Sequence, residues 1–218
     1  MKCEVCGIEF PDGINPNGCR PYTMCILCMH LQGLGLPFKY TSASIADYKN
    51  GLSKWFESKN SLFIHGGVGT GKTWLMSALM RENIVSSAYH YKGNNFEGEE
   101  RITYKSDYLF VSFPEIAMRI RASMNARTSE TESTIVEKYG TIRNLFLDDI
   151  GAEKSSEYMQ SILFMLIEMR NTGRNRRTVI TSNLSLNMLA QQHGERVASR
   201  IAEMCEVVKL SGSDRRLK

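Results

Sequence analysis

No apolar run in these 218 residues approaches the roughly 18 needed to cross a bilayer, and Met1-Lys2-Cys3-Glu4 lacks the apolar core of a signal peptide. A cytoplasmic protein with no membrane partner is expected. Charge of one sign is also missing: 27 Lys and Arg stand against 23 Asp and Glu, a net +4 that leans only mildly toward anionic partners. With 42% hydrophobic and 23% charged residues the composition is that of a folded chain and not of a disordered one. The length holds one sizeable α/β core and a small appendage, but not two full domains. Cysteine is almost absent beyond residue 30, where Cys205 stands alone.

What is present centres on Gly66-Gly67-Val68-Gly69-Thr70-Gly71-Lys72-Thr73, the pattern G-x-x-x-x-G-K-T. Ser61 to His65 before it suits a buried parallel strand, and Trp74 to Val85 after it has helical spacing. In that context the glycines turn the backbone so that N–H groups face phosphate oxygens, and the helix N-terminus adds partial positive charge. Lys72 then lies along the β- and γ-phosphates of ATP, with the Thr73 hydroxyl on Mg²⁺ and Trp74 completing the nucleotide-binding stretch. A glycine-rich turn that binds nothing is the bland alternative, and the complete eight-residue pattern weighs against it.

Four of the early cysteines, Cys3, Cys6, Cys25 and Cys28, make C-x2-C-x18-C-x2-C. Two such knuckles close a tetrahedron of thiolates around one Zn²⁺, and a segment this short needs the metal in order to fold. Disulfides are the alternative, disfavoured in a reducing compartment. Cys19 and His30 are spare, and a zinc ribbon of this kind suits nucleic acid or protein equally. Gly33, Gly35 and Pro37 read as a linker over 31–44, giving a zinc module and linker at 1–36 and an ATPase domain at 37–218. Ile45 to Ser58 then reads as an amphipathic helix on the sheet edge.

Downstream, Ser86 to Ser106 is polar and reads as loop, or as a β-hairpin pairing Tyr89 to Lys92 with Ile102 to Lys105. Tyr108 to Phe113 is a buried strand, followed by a helix from Pro114 to about Met124 whose polar side carries Arg119 and Arg121. Those arginines suit a phosphate backbone, or only a solvated face. Asn144 to Asp149 is an apolar strand ending in two acids, the Walker B pattern: Asp148 for the Mg²⁺ shell, Asp149 as general base for the attacking water. Ser155 to Asn171 is a strongly apolar helix with methionines as core filler, and Arg170, Arg174, Arg176 and Arg177 lead into the strand Thr178 to Thr181. Asn183 at that strand's end is a candidate for the γ-phosphate sensor called sensor 1, or for the cap of a helix starting near Leu184. Gly194 to Ile201 is a short helix with Arg196 and Arg200 on one face, where an arginine can reach a neighbour's ATP site in a ring or spiral. Val207 to Leu210 is the last strand, and Ser213-Asp214-Arg215-Arg216 a basic tail.

The order of these motifs, with Leu-Asp-Asp-Ile-Gly at 147–151, Thr-Ser-Asn-Leu at 181–184, Gly-Glu-Arg-x-x-Ser-Arg at 194–200 and the terminal Ser-Asp-Arg-Arg, resembles the AAA+ ATPases of the DnaC/DnaI helicase-loader family. The IstB transposition ATPases look similar too. The resemblance implies an α/β parallel sheet of the P-loop ASCE type flanked by helices, without a helical lid domain, plus the small zinc-binding module. It implies an ATP hydrolase that works slowly, as a switch, and loads a hexameric replicative helicase onto single-stranded DNA. An IstB-like transposition or recombination ATPase is the alternative. Residue by residue it implies ATP and Mg²⁺ on Lys72, Thr73, Asp148 and Asp149, sensing by Asn183, and a finger in trans from Arg200, with Arg196 second. It also implies single-stranded DNA on Arg119 and Arg121, and the helicase docked on the zinc module. Arg215 or Arg216 is left to stand in for the missing lid arginine.

Overall fold

The computed structural model describes residues 26–45, 60–87, 89–92, 100–103, 107–125, 130–152, 156–212 and 214. Residues 46–58 of the helix predicted at 45–58, and three of the four proposed zinc ligands, Cys3, Cys6 and Cys25, lie outside them.

Alternation within the strands builds two cores back to back. In β1 (Ser61–Gly66), Phe63 faces one cluster while Leu62 and Ile64 face the other. The same alternation sets Val111 against Phe110 in β4 (Tyr108–Ser112), and Leu145 and Leu147 against Phe146 in β5 (Asn144–Ile150). In β6 (Arg177–Ser182) it sets Ile180 against Val179. Side chains that alternate faces and are buried on both require cover above and below the sheet. With β7 (Cys205–Leu210), these strands form one parallel sheet in the order β4-β5-β6-β1-β7.

One face is covered by α1 (Ile26–Gly33) and α2 (Lys72–Ser86). The other carries α3 (Phe113–Asn125), α4 (Glu132–Thr141), α5 (Glu157–Thr172) and α7 (Glu195–Met204), with α6 (Leu186–His193) packed beside α7. Helix α4 has no counterpart among the sequence expectations. It starts at a capping box in which Thr131 and Thr134 bond reciprocally, Thr134 taking the place of the usual Glu. Side-chain caps from Ser156 and Ser185 start α5 and α6. On α5 the expected methionine filler holds for Met159, whereas Met165 is exposed.

The antiparallel hairpin of β2 (Tyr89–Lys92) and β3 (Glu100–Thr103) is as expected, although its second strand starts two residues earlier.

The linker expected over 31–44 is instead part of the core, and a boundary at residue 36 divides a packed unit. Leu27, Leu31, Leu34 and Leu36 belong to the same cluster as β1 and α2, and Thr41 and Ala43 are fully buried. Gly33, Gly35 and Pro37 do end α1, but the chain then runs along the outer edge of β4. The Phe110 N–H donates to the Leu34 carbonyl at 2.8 Å. At Gly35, with φ 93, a Cβ would lie 2.3 Å from the Phe110 carbonyl oxygen, so glycine permits the close approach. This contact covers an edge that would otherwise be open to another strand.

At the N-terminal ends of the strands lies Arg170, 2% exposed. Its guanidinium donates to Thr178 Oγ1 at 2.9 Å and to the carbonyls of Arg177 at 2.6 Å, Arg143 at 3.3 Å and Ile142. Burial, and then the Arg176 guanidinium, push its pKa down to about 9, which leaves it charged at neutral pH. A buried cation with carbonyl partners is costly to remove, because the carbonyls lose their donors. Arg170→Met is expected to lower the unfolding free energy by about 3 kcal/mol. The check is a reduced urea midpoint with an unchanged slope.

Candidate nucleotide site

The phosphate loop leaves β1 at Gly66, and α2 begins at Lys72 behind Gly71, whose φ of 94 suits glycine. The loop is braced internally by the Thr70 hydroxyl donating to the Gly67 carbonyl at 2.9 Å. The opening N–H groups of α2, which have no partners inside the helix, thus sit at the C-terminal edge of the sheet, where ligands of parallel sheets bind. Val68 at the loop's tip is 62% exposed. Trp74 turns aside and meets Tyr40 edge-on, with ring centroids 6.3 Å apart.

Lys72 is buried, and its ammonium donates to Asn183 Oδ1 at 2.6 Å and to the Gly67 and Gly66 carbonyls at 2.8 and 3.0 Å. Asn183 in turn donates from Nδ2 to Asp149 Oδ1 at 3.1 Å. The cap of α6 is Ser185, so the capping role, one of the two expected for Asn183, falls to another residue. The Thr73 hydroxyl lies 3.0 Å from each oxygen of Asp148. Burial pushes the Asp148 carboxyl above its ordinary range, and hydrogen bonds from Thr181 and Thr73 pull it partly back. Buried oxygens beside a hydroxyl are the hard donor set that Mg²⁺ takes. Asp149 is a non-glycine residue with φ 59, a conformation costing about 1–2 kcal/mol.

Sequence reasoning missed two residues here. Thr181 is 1% exposed and donates to Asp148 Oδ1 at 2.5 Å; it opens the Thr-Ser-Asn-Leu stretch, but only strand order gives it a role there. Asp214 brings the tail onto the phosphate loop, since a Cβ on Gly69 would lie 1.9 Å from its carboxylate. Arg215 and Arg216 lie outside the described residues.

Residues 42–207 match the family model of the bacterial DnaA ATPase domain. The chain belongs to that family. The chain is also 23% identical over 145 residues to the replicative helicase loader DnaC of Buchnera aphidicola subsp. Schizaphis graminum, covering 66% of this chain and 51% of that protein. To the replicative helicase loader DnaI of Bacillus subtilis strain 168 it is 25% identical over 167 residues, covering 71% and 47%. The chain therefore spans about half the length of the curated relatives it matches. A crystal structure of DnaI superposes with a TM-score of 0.59 at 22% identity, covering 83% of this chain and 94% of that one. A replication initiator DnaA bound to AMPPCP and single-stranded DNA gives 0.59 at 18% identity, covering 82% and 51%. At these identities the structures share the fold. The expected kinship with the DnaC/DnaI-type loaders stands.

On this DnaA-family domain the expected DNA-contacting arginines part company. Arg119 and Arg121 are two residues apart and hence about 200° apart around α3, so they do not share a polar face. Arg119 is half-buried and bonded to Glu115 at 2.7 Å, while Arg121 is exposed near Met118 and Met124. Arg200 is held by Glu168 at 2.7 Å and Glu203 at 2.8 Å. Arg196 lies over the Phe164 ring at 5.8 Å from the centroid. Both line a 490 Å³ surface groove with Phe164, Glu195 and Ser199. Cys28 is buried within α1, and among the described residues no three His, Cys, Asp or Glu side chains gather as a metal site. Nor, among the described residues, is any helix long and apolar enough to cross a membrane.

The raised Asp148 pKa has a testable sign. A proton competes with a divalent cation for this carboxylate, and does so at higher pH than at an ordinary aspartate. Calorimetry with Mg²⁺ and a nonhydrolysable ATP analogue is expected to give a half-saturating Mg²⁺ concentration that rises as pH falls from 7 to 5, and rises less steeply in Asp148→Asn, where only the analogue's own phosphate takes up a proton. Lys72→Ala is expected to abolish analogue binding.

Proposed function

We propose that this chain is an ATP-hydrolysing loader of a hexameric replicative helicase onto single-stranded DNA, acting in the cytoplasm. The observation that carries the ATPase part is the unbroken chain from Lys72 through Asn183 to Asp149, alongside the Thr73 and Asp148 pair. The loading part is supported by the names of the relatives, replicative helicase loaders at 23–25% identity.

In this reading the loop from Gly66 to Gly71 and the N-terminus of α2 bind the triphosphate, and Lys72 neutralises its β- and γ-oxygens. Thr73 and Asp148 would hold Mg²⁺, which supplies Lewis-acid charge stabilisation when bound. Asp149 orients the attacking water and accepts its proton at a carboxylate oxygen. Asn183 couples that carboxylate to Lys72, so that water positioning and phosphate contact are read by one amide. Arg200 is the finger for a neighbouring copy in a ring or spiral; Glu168 and Glu203 hold it until assembly supplies a phosphate. Arg121 on α3 carries the DNA contact, with Arg119 held back by Glu115. The four early cysteines bind Zn²⁺ in a module leading the ATPase domain, with Cys28 built into α1, and this module meets the helicase.

Asp149→Asn is expected to keep ATP binding within about twofold and to lose turnover by about a hundredfold or more. Arg121→Ala is expected to weaken single-stranded DNA binding and flatten its salt dependence by about one unit, with a smaller effect from Arg119→Ala. The deciding experiment is size-exclusion of the chain with a hexameric helicase, ATP and single-stranded DNA. Co-elution together with one zinc per chain supports the reading. Failure to co-elute, with turnover stimulated by duplex DNA alone, overturns the loader role.

A further inference from the structure

We propose that Thr181 is a positioning residue for the acidic pair, holding a bulge in β5 that sends the two adjacent carboxylates to separate tasks. This deepens the ATPase reading above and rests on it for its catalytic consequence.

Adjacent residues of a regular strand point to opposite faces, so Asp148 and Asp149 would not ordinarily both serve one site at the strand's end. The register shows how they do. Leu147 pairs with Ile180, but the next pair is Ile150 with Ser182, so three steps on β5 match two on β6. The extra residue is a bulge, which re-aims side chains at the place where Asp149 adopts φ 59.

Such a bulge leaves an N–H without its ladder partner. That N–H is Asp149's, and it donates to Thr181 Oγ1 at 2.9 Å. The same oxygen donates its hydrogen to Asp148 Oδ1 at 2.5 Å. A hydroxyl has one hydrogen and two lone pairs, so with its hydrogen on the carboxylate it is left to accept from the amide. Both bonds are therefore satisfied at once by one atom. Thr181 is 1% exposed, so water has no access to replace either. Strand order makes this possible: β6 lies between β1 and β5, and Thr181 is in register with Ile64, two residues before Gly66. From this anchor Asp148 reaches Thr73 at the phosphate loop and Asp149 reaches Asn183.

The test compares Thr181→Val, which keeps the shape and loses the hydroxyl, with Thr181→Ser, which keeps the hydroxyl; Thr181→Ala serves if the valine variant does not fold. In nucleotide-free protein, NMR hydrogen exchange at the Asp149 amide is expected to be at least tenfold faster in Thr181→Val and near wild type in Thr181→Ser. With ATP, the valine variant is expected to need about tenfold more Mg²⁺ and to lose about tenfold or more in kcat, with metal-free nucleotide affinity within twofold and serine restoring most of the loss. A valine variant that loses only thermal stability, with Mg²⁺ requirement and kcat unchanged, overturns the proposal. So does a serine variant as impaired as valine. If the wild type neither binds nor hydrolyses ATP, the ATPase reading falls, while hydrogen exchange at the Asp149 amide still decides whether Thr181 holds the bulge.

Discussion

A carboxylate withdrawn from water is the constraint on which the site depends. Asp148 is 9% exposed, and a buried charge is tolerated only where donors replace the lost solvent. Its donors come from two different places: Thr73 at the head of the helix after β1, and Thr181 inside β6. Satisfying one side chain therefore fixes the ends of β1, β5 and β6 relative to each other. The phosphate loop, the acidic pair and Asn183 share one crevice because of it.

The two ends of the sheet divide their work. At the N-terminal ends Arg170 gathers carbonyls from the turn before β5 and from the first residue of β6, a cation serving the scaffold. At the C-terminal ends the polar groups face a ligand position, and the backbone departs from regularity at Asp149. Two-sided burial of β1, β4, β5 and β6 makes this separation possible, since α1 and α2 on one face and the α3 to α7 layer on the other leave the ends of these four strands open. Closing the β4 edge with 34–36 means that α1, at the very start of the described chain, is part of the same packed body.

Surface arginines differ in how their charge is already met. Arg119 and Arg200 have carboxylates of their own chain, and Arg196 has an aromatic face. Exposed ion pairs of this kind are worth little and exchange readily. Arg200 can therefore change partners without a large loss at its present position.

Local chemistry was enough to read the strand, loop and helix around Gly66 to Thr73, the apolar strand ending in Asp148 and Asp149, and the polar end of β6 at Asn183. In each, the residues that define the motif are neighbours in the chain, so spacing alone carries the information. Helix α4 escaped because Thr134 fills a place in its capping box where a glutamate is the usual sign. Residues 31–44 misled because glycine and proline mark both a free linker and a chain laid tightly along a strand, and only the neighbour at Phe110 distinguishes them. Sharing of a face by Arg119 and Arg121 was excluded by helical geometry once α3 was in place. Thr181 and the bulge it holds were decided by tertiary structure alone: a threonine in a buried strand is ordinary until strand order sets it between two acids. Sequence by itself determined which groups are available for the chemistry, because that is a matter of residue type and near spacing. Only the folded sheet decided which of them share a hydrogen, because that depends on strands brought together from distant parts of the chain.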